Sequence, residues 1–293
     1  MLKEIALNPL LMADVESVKQ LSAGLDYESG RLVASCPSNW TILALKAIKE
    51  SQHRPLMKET LKVKLKEVQR NLVKNVNRKH IWDLEKEPWD KNATGAHRDL
   101  PFSVVIVKQG NMNESPYYSP DEIFLNSPEE WNTVISKQVE RRKVEIVKSM
   151  MPLVNLSDRL LLVDPFFDIS DANYRDTLVE LLKQLNQSSS LRKVEIHIAS
   201  TQSEQKIESD LANNTSPVML LGITVELIVW NVKSFHDRFA LTNVGGFSYG
   251  HGFAERDRQG ATHVLVQRVG KDAYGQLWRE FNDLENIRFR KSV

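Results

Sequence analysis

Three apolar runs decide how this chain folds: RLLLVDPF at 159–166, KVEIHIA at 193–199 and ITVELIVW at 223–230. Each is dominated by leucine and β-branched residues and is short enough to be a strand. The intervening segments 173–185 and 203–211 carry apolar residues at helical spacing, so strand and helix alternate. That alternation predicts βαβ units, a largely parallel sheet and an α/β class. Beyond 230 the pattern changes. Segments 236–242, 246–249 and 261–269 read as strands joined by short glycine-containing turns, and 272–284 as a closing helix. The expected domain therefore has a mixed sheet flanked by helices.

Toward the amino terminus the α/β pattern is less regular. Helices are expected at 14–25 and 40–50 with a short strand at 31–36 between them. In 56–73, Leu61, Val63 and Leu65 alternate as in a strand, but the length and the lack of Gly or Pro favour a helix. PFSVVIVK at 101–108 is a buried strand ended by a turn at Gly110-Asn111, and 111–120 is a polar loop. Ser127-Pro128-Glu129-Glu130 carries the signs of a helix start: a capping hydroxyl, a proline at the first helical position and an acid where a capping box wants it. Trp131, Val134, Ile135, Val139, Val144, Ile146 and Val147 then form one face of a helix reaching about Met150, with Pro152 ending it. A boundary near 152–156 follows, giving an α/β domain at 1–152 and a second domain at 153–293. No repeat of 20 to 50 residues is visible, which argues against a solenoid.

Composition bounds the function. The 293 residues are 41% hydrophobic and 26% charged, the makeup of a soluble globular protein, which excludes disorder and collagen-like repeats. Cys36 is the single cysteine, so no disulfide within the chain supports the fold, and a cytoplasmic location is expected. The apolar stretch 218–230 is too short and too broken to cross a bilayer, and the first residues lack the pattern of a secretory signal. Net charge is +1, yet residues 54–98 hold twelve Lys and Arg against six Asp and Glu. Such a zone is either a solvated helix face or a phosphate-contacting surface in which Lys62, Lys66 and Arg70 share one helical face. Trp82, Trp89, His97 and Arg98 lie in the same zone and read either as core or as a stacking surface for single-stranded nucleic acid.

The chemistry concentrates in FHDRFALTNVGGFSYGHGFAE at 235–255. On a strand, His236 and Arg238 share one face and address one ligand together. An imidazole beside a guanidinium suits phosphodiester chemistry: one attacks phosphorus or moves a proton, the other holds the non-bridging oxygens. Gly245, Gly246, Gly250 and Gly252 let backbone amides approach a phosphate, and Ser248 adds a donor. Asp164 and Asp168 follow the first strand of this domain, at the end where α/β sheets bind ligands, and read as turn caps or as site residues. His236, His251 and His263 lack metal-ligand spacing, so no metal is expected. No P-loop, dinucleotide fingerprint or Ser-His-Asp arrangement appears, so no cofactor is expected.

The order of elements around H-D-R resembles half of the phospholipase D superfamily over residues 156–293, whose motif is H-x-K-x4-D followed by Gly-Ser and Asn. The variant here is similar to the phospholipase D-like domain at the carboxyl end of MIT-domain proteins and to related bacterial domains. By that resemblance His236 matches the nucleophilic histidine, Arg238 replaces the lysine, Asn243 stands where aspartate is expected, and Gly246, Ser248 and Gly250 fall in the phosphate-binding turn. Arginine preserves phosphate binding, while asparagine removes the anion that supports the histidine. The resemblance implies a protein that binds or cleaves phosphodiesters, with nucleic acid as the expected ligand. The family reaction uses two histidines, so a symmetric homodimer is expected to bring two His236 side chains together, unless His197 lines the same cleft. Partner proteins in a bacterial defence system are the expectation by analogy. The rival expectation is an inactive module that binds nucleic acid or anionic lipid and assembles with other proteins.

Overall fold

The protein is described by a computed structural model that covers residues 1–293 apart from 23, 74–77, 109–115, 189–190, 216–221, 232–234, 256–259 and 293. The chain divides into two compact units, Met1–Val134 and Ile135–Val293. Both are α/β, as the alternation of patterns requires.

The first unit opens with β1 (Lys3–Leu7), a 3-10 turn at Pro9–Ala13, α1 (Val15–Ser22), β2 (Arg31–Ala34), α2 (Trp40–Glu50), α3 (Pro55–Gln69) and β3 (Leu72–Val73). It continues with α4 (Trp89–Asp99), β4 (Val104–Ile106), β5 (Tyr117–Tyr118) and α5 (Pro120–Asn126). The five strands are all parallel in the order β3-β2-β1-β4-β5, so the winding reverses direction between β1 and β4. Side chains alternate across the central strand: Ile5 and Leu7 join a core with Trp40, Ile48, Leu61 and Leu65, while Ala6 faces a second core with Trp89, Ala93 and Ala96. Leu61, Leu65 and Val68 are buried at helical spacing and Val63 is exposed, which resolves 56–73 as mainly helix. The central strand β1 is five residues with two charges, too short and too polar to stand out in the sequence. The predicted turn at Gly110-Asn111 lies outside the described residues.

The expected helix over 127–150 does not form as one element: only its part from Lys143 onward is helical. Ser127 instead ends α5 in a left-handed conformation, and the capping box belongs to Ser119 and Glu122 at the start of that helix. The chain then forms β6 (Ser136–Glu140) and α6 (Lys143–Val154), with Pro152 accommodated inside the last turn of α6. Apolar residues three and four apart fitted a helix, but Trp131 is buried in the first unit and Val139 pairs with Val264 in the second. Pairing with a strand more than a hundred residues away overrode the local pattern. The division accordingly falls at 134/135, earlier than 152–156.

After α6 the second unit adds β7 (Arg159–Val163), α7 (Ala172–Ser188), β8 (Lys193–Ala199), α8 (Glu204–Thr215) and β9 (Thr224–Trp230). Then come β10 (Phe239–Thr242), β11 (Gly245–Tyr249), β12 (His263–Arg268), α9 (Lys271–Asn282) and β13 (Ile287–Ser292). Its sheet is mixed, in the order β13-β9-β8-β7-β10-β11-β12-β6. The strands β7, β8 and β9 run parallel, and every other pairing is antiparallel. Leu161, Val163, Phe239 and Leu241 pack with Tyr274, Trp278 and Phe281 of α9 on one face. On the opposite face, the Tyr249 hydroxyl and Ser149 of α6 are hydrogen-bonded at 2.8 Å. Among the described residues no helix is long and apolar enough to cross a membrane.

Candidate functional site

The site begins where β7 ends. The main chain passes from Val163 into Asp164, whose N–H still follows the sheet by donating to the His197 carbonyl at 3.0 Å. The Asp164 side chain is completely buried. Its Oδ1 accepts the Phe166 N–H at 3.0 Å and its Oδ2 the Phe253 N–H at 3.4 Å, so one carboxylate ties the turn after β7 to the loop after β11. A Cβ at Gly252 would fall on Asp164 Oδ2, and the backbone there has φ 75°, which explains why a glycine occupies the position. Burial pushes the Asp164 carboxyl up to about 6, against the opposing pull of the Phe166 amide, Arg238, the Phe253 amide and Arg141.

Arg238 immediately precedes β10. Its Nε lies 3.8 Å from Asp164 Oδ1, and its Nη1 donates to the Gly250 carbonyl at 3.4 Å. The guanidinium carbon sits 4.9 Å from the centre of the Phe166 ring, a cation–π arrangement. Arg141, which follows β6, donates from Nη1 to the His251 carbonyl at 3.1 Å. Both guanidinium groups line a cleft of about 660 Å3, together with Phe166, Asp168, Tyr174, Gln202 and His251. The cleft lies past the carboxyl ends of β7 and β8, the usual ligand position in α/β sheets. Burial, reinforced by Asp164, pushes the Tyr174 hydroxyl up to about 12, so it stays neutral. The wall also carries Asp171 and Asp210. Asp168 accepts the Ser170 amide at 2.9 Å, the turn-capping role read for it from the sequence, and Asp171 caps the Asn173 amide at the same distance; both also line the cleft.

Of the residues expected at the site, Arg238 and Gly250 line this cleft. His236 is exposed in an irregular segment before β10, so the same-face argument for His236 and Arg238 does not apply, and it is not part of the lining. Asn243 is exposed in the two-residue turn between β10 and β11, at the opposite end of β10 from Arg238. Gly246 and Ser248 face the α9 side of the sheet. A Cβ on Gly246 would come within 2.5 Å of Leu241 Cδ2, so this glycine serves close helix packing, and Ser248 Oγ donates to the Gln267 carbonyl at 3.4 Å. His197 is buried away from the cleft: its Nδ1 accepts the Trp230 indole N–H at 3.1 Å and its ring packs on Phe281. Burial lowers its pKa against the pull of Glu195.

Lys62 and Lys66 lie on α3 and Arg70 caps it, all in the first unit, with Lys62 paired to Glu59 at 2.6 Å. Trp89 donates to the Cys36 carbonyl at 3.0 Å inside the second core of that unit, and Trp82 packs against it. Trp89 is thus a core residue, and Trp82 is half-buried at the margin of that core. Among the described residues no group of three or more His, Cys, Asp or Glu is placed to hold a metal ion. Phe166 was within the legible VDPFF motif, whereas Arg141 and Tyr174 carried no signal, because only strand pairing and helix packing bring them to the cleft.

No protein family matches the chain, and no curated protein does. Among solved structures, that of TrmBL2, described as an archaeal chromatin protein with a novel mode of DNA binding, is similar at 12% identity and a TM-score of 0.30. The similarity spans 56% of this chain and 56% of that one. At this level it bears on neither fold nor function.

Proposed function

We propose that the second unit is a phosphodiester-binding module that takes single-stranded nucleic acid into the cleft, with Arg238 as its phosphate contact. The observation that carries this reading is the Arg238 guanidinium at the cleft wall, laid over the exposed Phe166 ring. A cation offers charge-assisted hydrogen bonds to a phosphate, and an exposed aromatic face offers stacking to the adjoining base. Binding is favoured over cleavage because His236 lies outside the cleft and Asn243 lies beyond the far end of β10. The phospholipase D-like reading of this unit, a cytoplasmic homodimer and partner proteins in a bacterial defence system complete the proposal.

Anisotropy titration of labelled oligothymidylate into the full-length protein tests it. Arg238→Ala weakens binding about tenfold or more, the range of a charged hydrogen bond, and Phe166→Ala by a similar factor through lost stacking. His236→Ala leaves affinity within about twofold, a change near 0.4 kcal/mol. Unchanged affinity in Arg238→Ala overturns the reading. A concentration-independent mass of 33.6 kDa in light scattering removes the homodimer.

A further inference from the structure

We propose that phosphodiester binding in the cleft takes up a proton on Asp164: the ligand and the buried carboxylate compete for the Arg238 guanidinium, so affinity rises as the solution is acidified. The inference rests on the reading of the cleft given above and adds its regulation.

Asp164 has no exposed surface, so water does not solvate its charge. What faces it is Arg238 from the segment before β10, Arg141 from the segment after β6, Tyr174 from α7 and the amides of Phe166 and Phe253. At 3.8 Å the Arg238 contact is Coulombic and not a hydrogen bond, and Arg238 Nε is buried with no hydrogen-bond partner. The guanidinium is therefore divided: Nε lies nearest the carboxylate, Nη1 donates to the Gly250 carbonyl, and the residue lines the cleft. An anion bound from the cleft side places a second negative charge on the same cation. Two anions sharing one cation disfavour the ionised carboxyl, which responds by protonating. Burial has already brought this carboxyl up to about 6, so the proton is taken near neutrality. Once neutral, Asp164 still accepts the two amides, and the whole guanidinium charge serves the ligand. Coupling is reciprocal: protonation tightens binding by the factor by which binding favours protonation. The proton comes from solvent, and no covalent bond to the ligand forms or breaks.

The test measures oligothymidylate affinity at pH 7.5, 6.5 and 5.5 at fixed ionic strength, a range over which thymine and the phosphodiester do not titrate. Wild type binds about tenfold tighter at the lowest pH than at the highest, within the usual range of coupling between sites. Asp164→Asn shows no slope and binds at pH 7.5 about as tightly as wild type does at pH 5.5. His251→Gln, whatever its effect on affinity, retains the slope. A slope surviving in Asp164→Asn, or vanishing in His251→Gln, overturns the proposal. Nuclear magnetic resonance of the ligand-free wild type provides a measurement independent of the variants. The Phe166 and Phe253 amides and the Arg238 Nε–H share one inflection near pH 6, and the absence of that inflection overturns the coupled pair. If the oligonucleotide fails to bind at every pH, the phosphodiester reading falls, and this resonance titration still decides whether Asp164 and Arg238 titrate together.

Discussion

Asp164, just past β7, and Glu195, within neighbouring β8, are both almost wholly buried, yet their surroundings treat charge in opposite ways. Glu195 receives Arg159 through Nε at 2.7 Å and Nη2 at 2.5 Å, Lys193 at 2.7 Å and the His197 ring at 3.5 Å. Burial pushes its carboxyl up, but His197, Arg159 and Lys193 beside it overcome that and hold it far below the ordinary carboxylate range. Asp164 has two amides and two guanidinium groups that act on it only through charge, the nearer being Arg238 at 3.8 Å, and its carboxyl is raised. The lesson is that burial alone does not assign a carboxylate its role; the number and closeness of its cations do. A forked arginine and a lysine make a structural clamp, whereas a loose pair on a cleft wall leaves a charge that a ligand can shift.

The sharpest way to break this comparison is to remove the cation from each. Arg159→Leu leaves Glu195 short of its forked partner and costs about 3 kcal/mol or more in denaturant unfolding. Arg238→Leu costs clearly less, because Asp164 can take up a proton near neutral pH. Equal costs would mean that the two carboxylates are held alike.

A second expectation follows from pH. The folded-state value of Asp164, about 6, lies above its ordinary 3.8. Its contribution to stability is complete below the ordinary value and is lost as pH rises through about 6, roughly 3 kcal/mol for a shift of about two units. Glu195 lies below its ordinary 4.5, so its contribution is present above that value and lost as pH falls below it. Urea unfolding of wild type and Asp164→Asn at pH 4 and pH 7 should therefore show the variant gaining on wild type as pH rises. Glu195→Gln should lose its disadvantage only on acidification below pH 4.5. A difference between wild type and Asp164→Asn that does not move with pH would erase the distinction.

The smallest effect concerns the glycine that closes over Asp164. Gly252 and Gly260 both have positive φ, 75° and 81°, but only Gly252 has the carboxylate where a Cβ would go, while Gly260 has open space. Gly260→Ala costs about 1 kcal/mol for its backbone conformation alone. Gly252→Ala costs about 1 kcal/mol more in the same assay through the displaced Asp164, as strain at such sites does, and lowers the affinity of the cleft. Indistinguishable costs would show that Asp164 yields freely.

Local pattern was enough for much of the second unit. KVEIHIA is β8 without a residue gained or lost, and α7, β9 and α9 fall within a few residues of their expected places. Where a segment's apolar periodicity agrees with its final burial, sequence suffices. It misled at 127–150, where the apolar spacing suited a helix but the partners of Trp131 and Val139 lie in different units. The short central β1 and the edge strand β13 went unseen for the same reason: both owe their extension to neighbours far along the chain.

The candidate site divided along the same line. Arg238 and Gly250 stood out by residue type and the two aspartates of VDPFFD by their position after a strand; Arg238, Gly250 and Asp168 line the cleft, and Asp164 is buried 3.8 Å from Arg238. What the sequence determined by itself was the α/β class, the unpaired Cys36 and the parallel core of β7, β8 and β9, because periodicity and composition act over neighbouring residues. Only the tertiary structure decided that β10 starts after His236, that Asn243 turns away at its far end, and that Arg141 and Tyr174 come to the same carboxylate. Those outcomes depend on strand pairing and on burying a charge, and both are settled by groups distant in sequence that meet only when the sheet has closed.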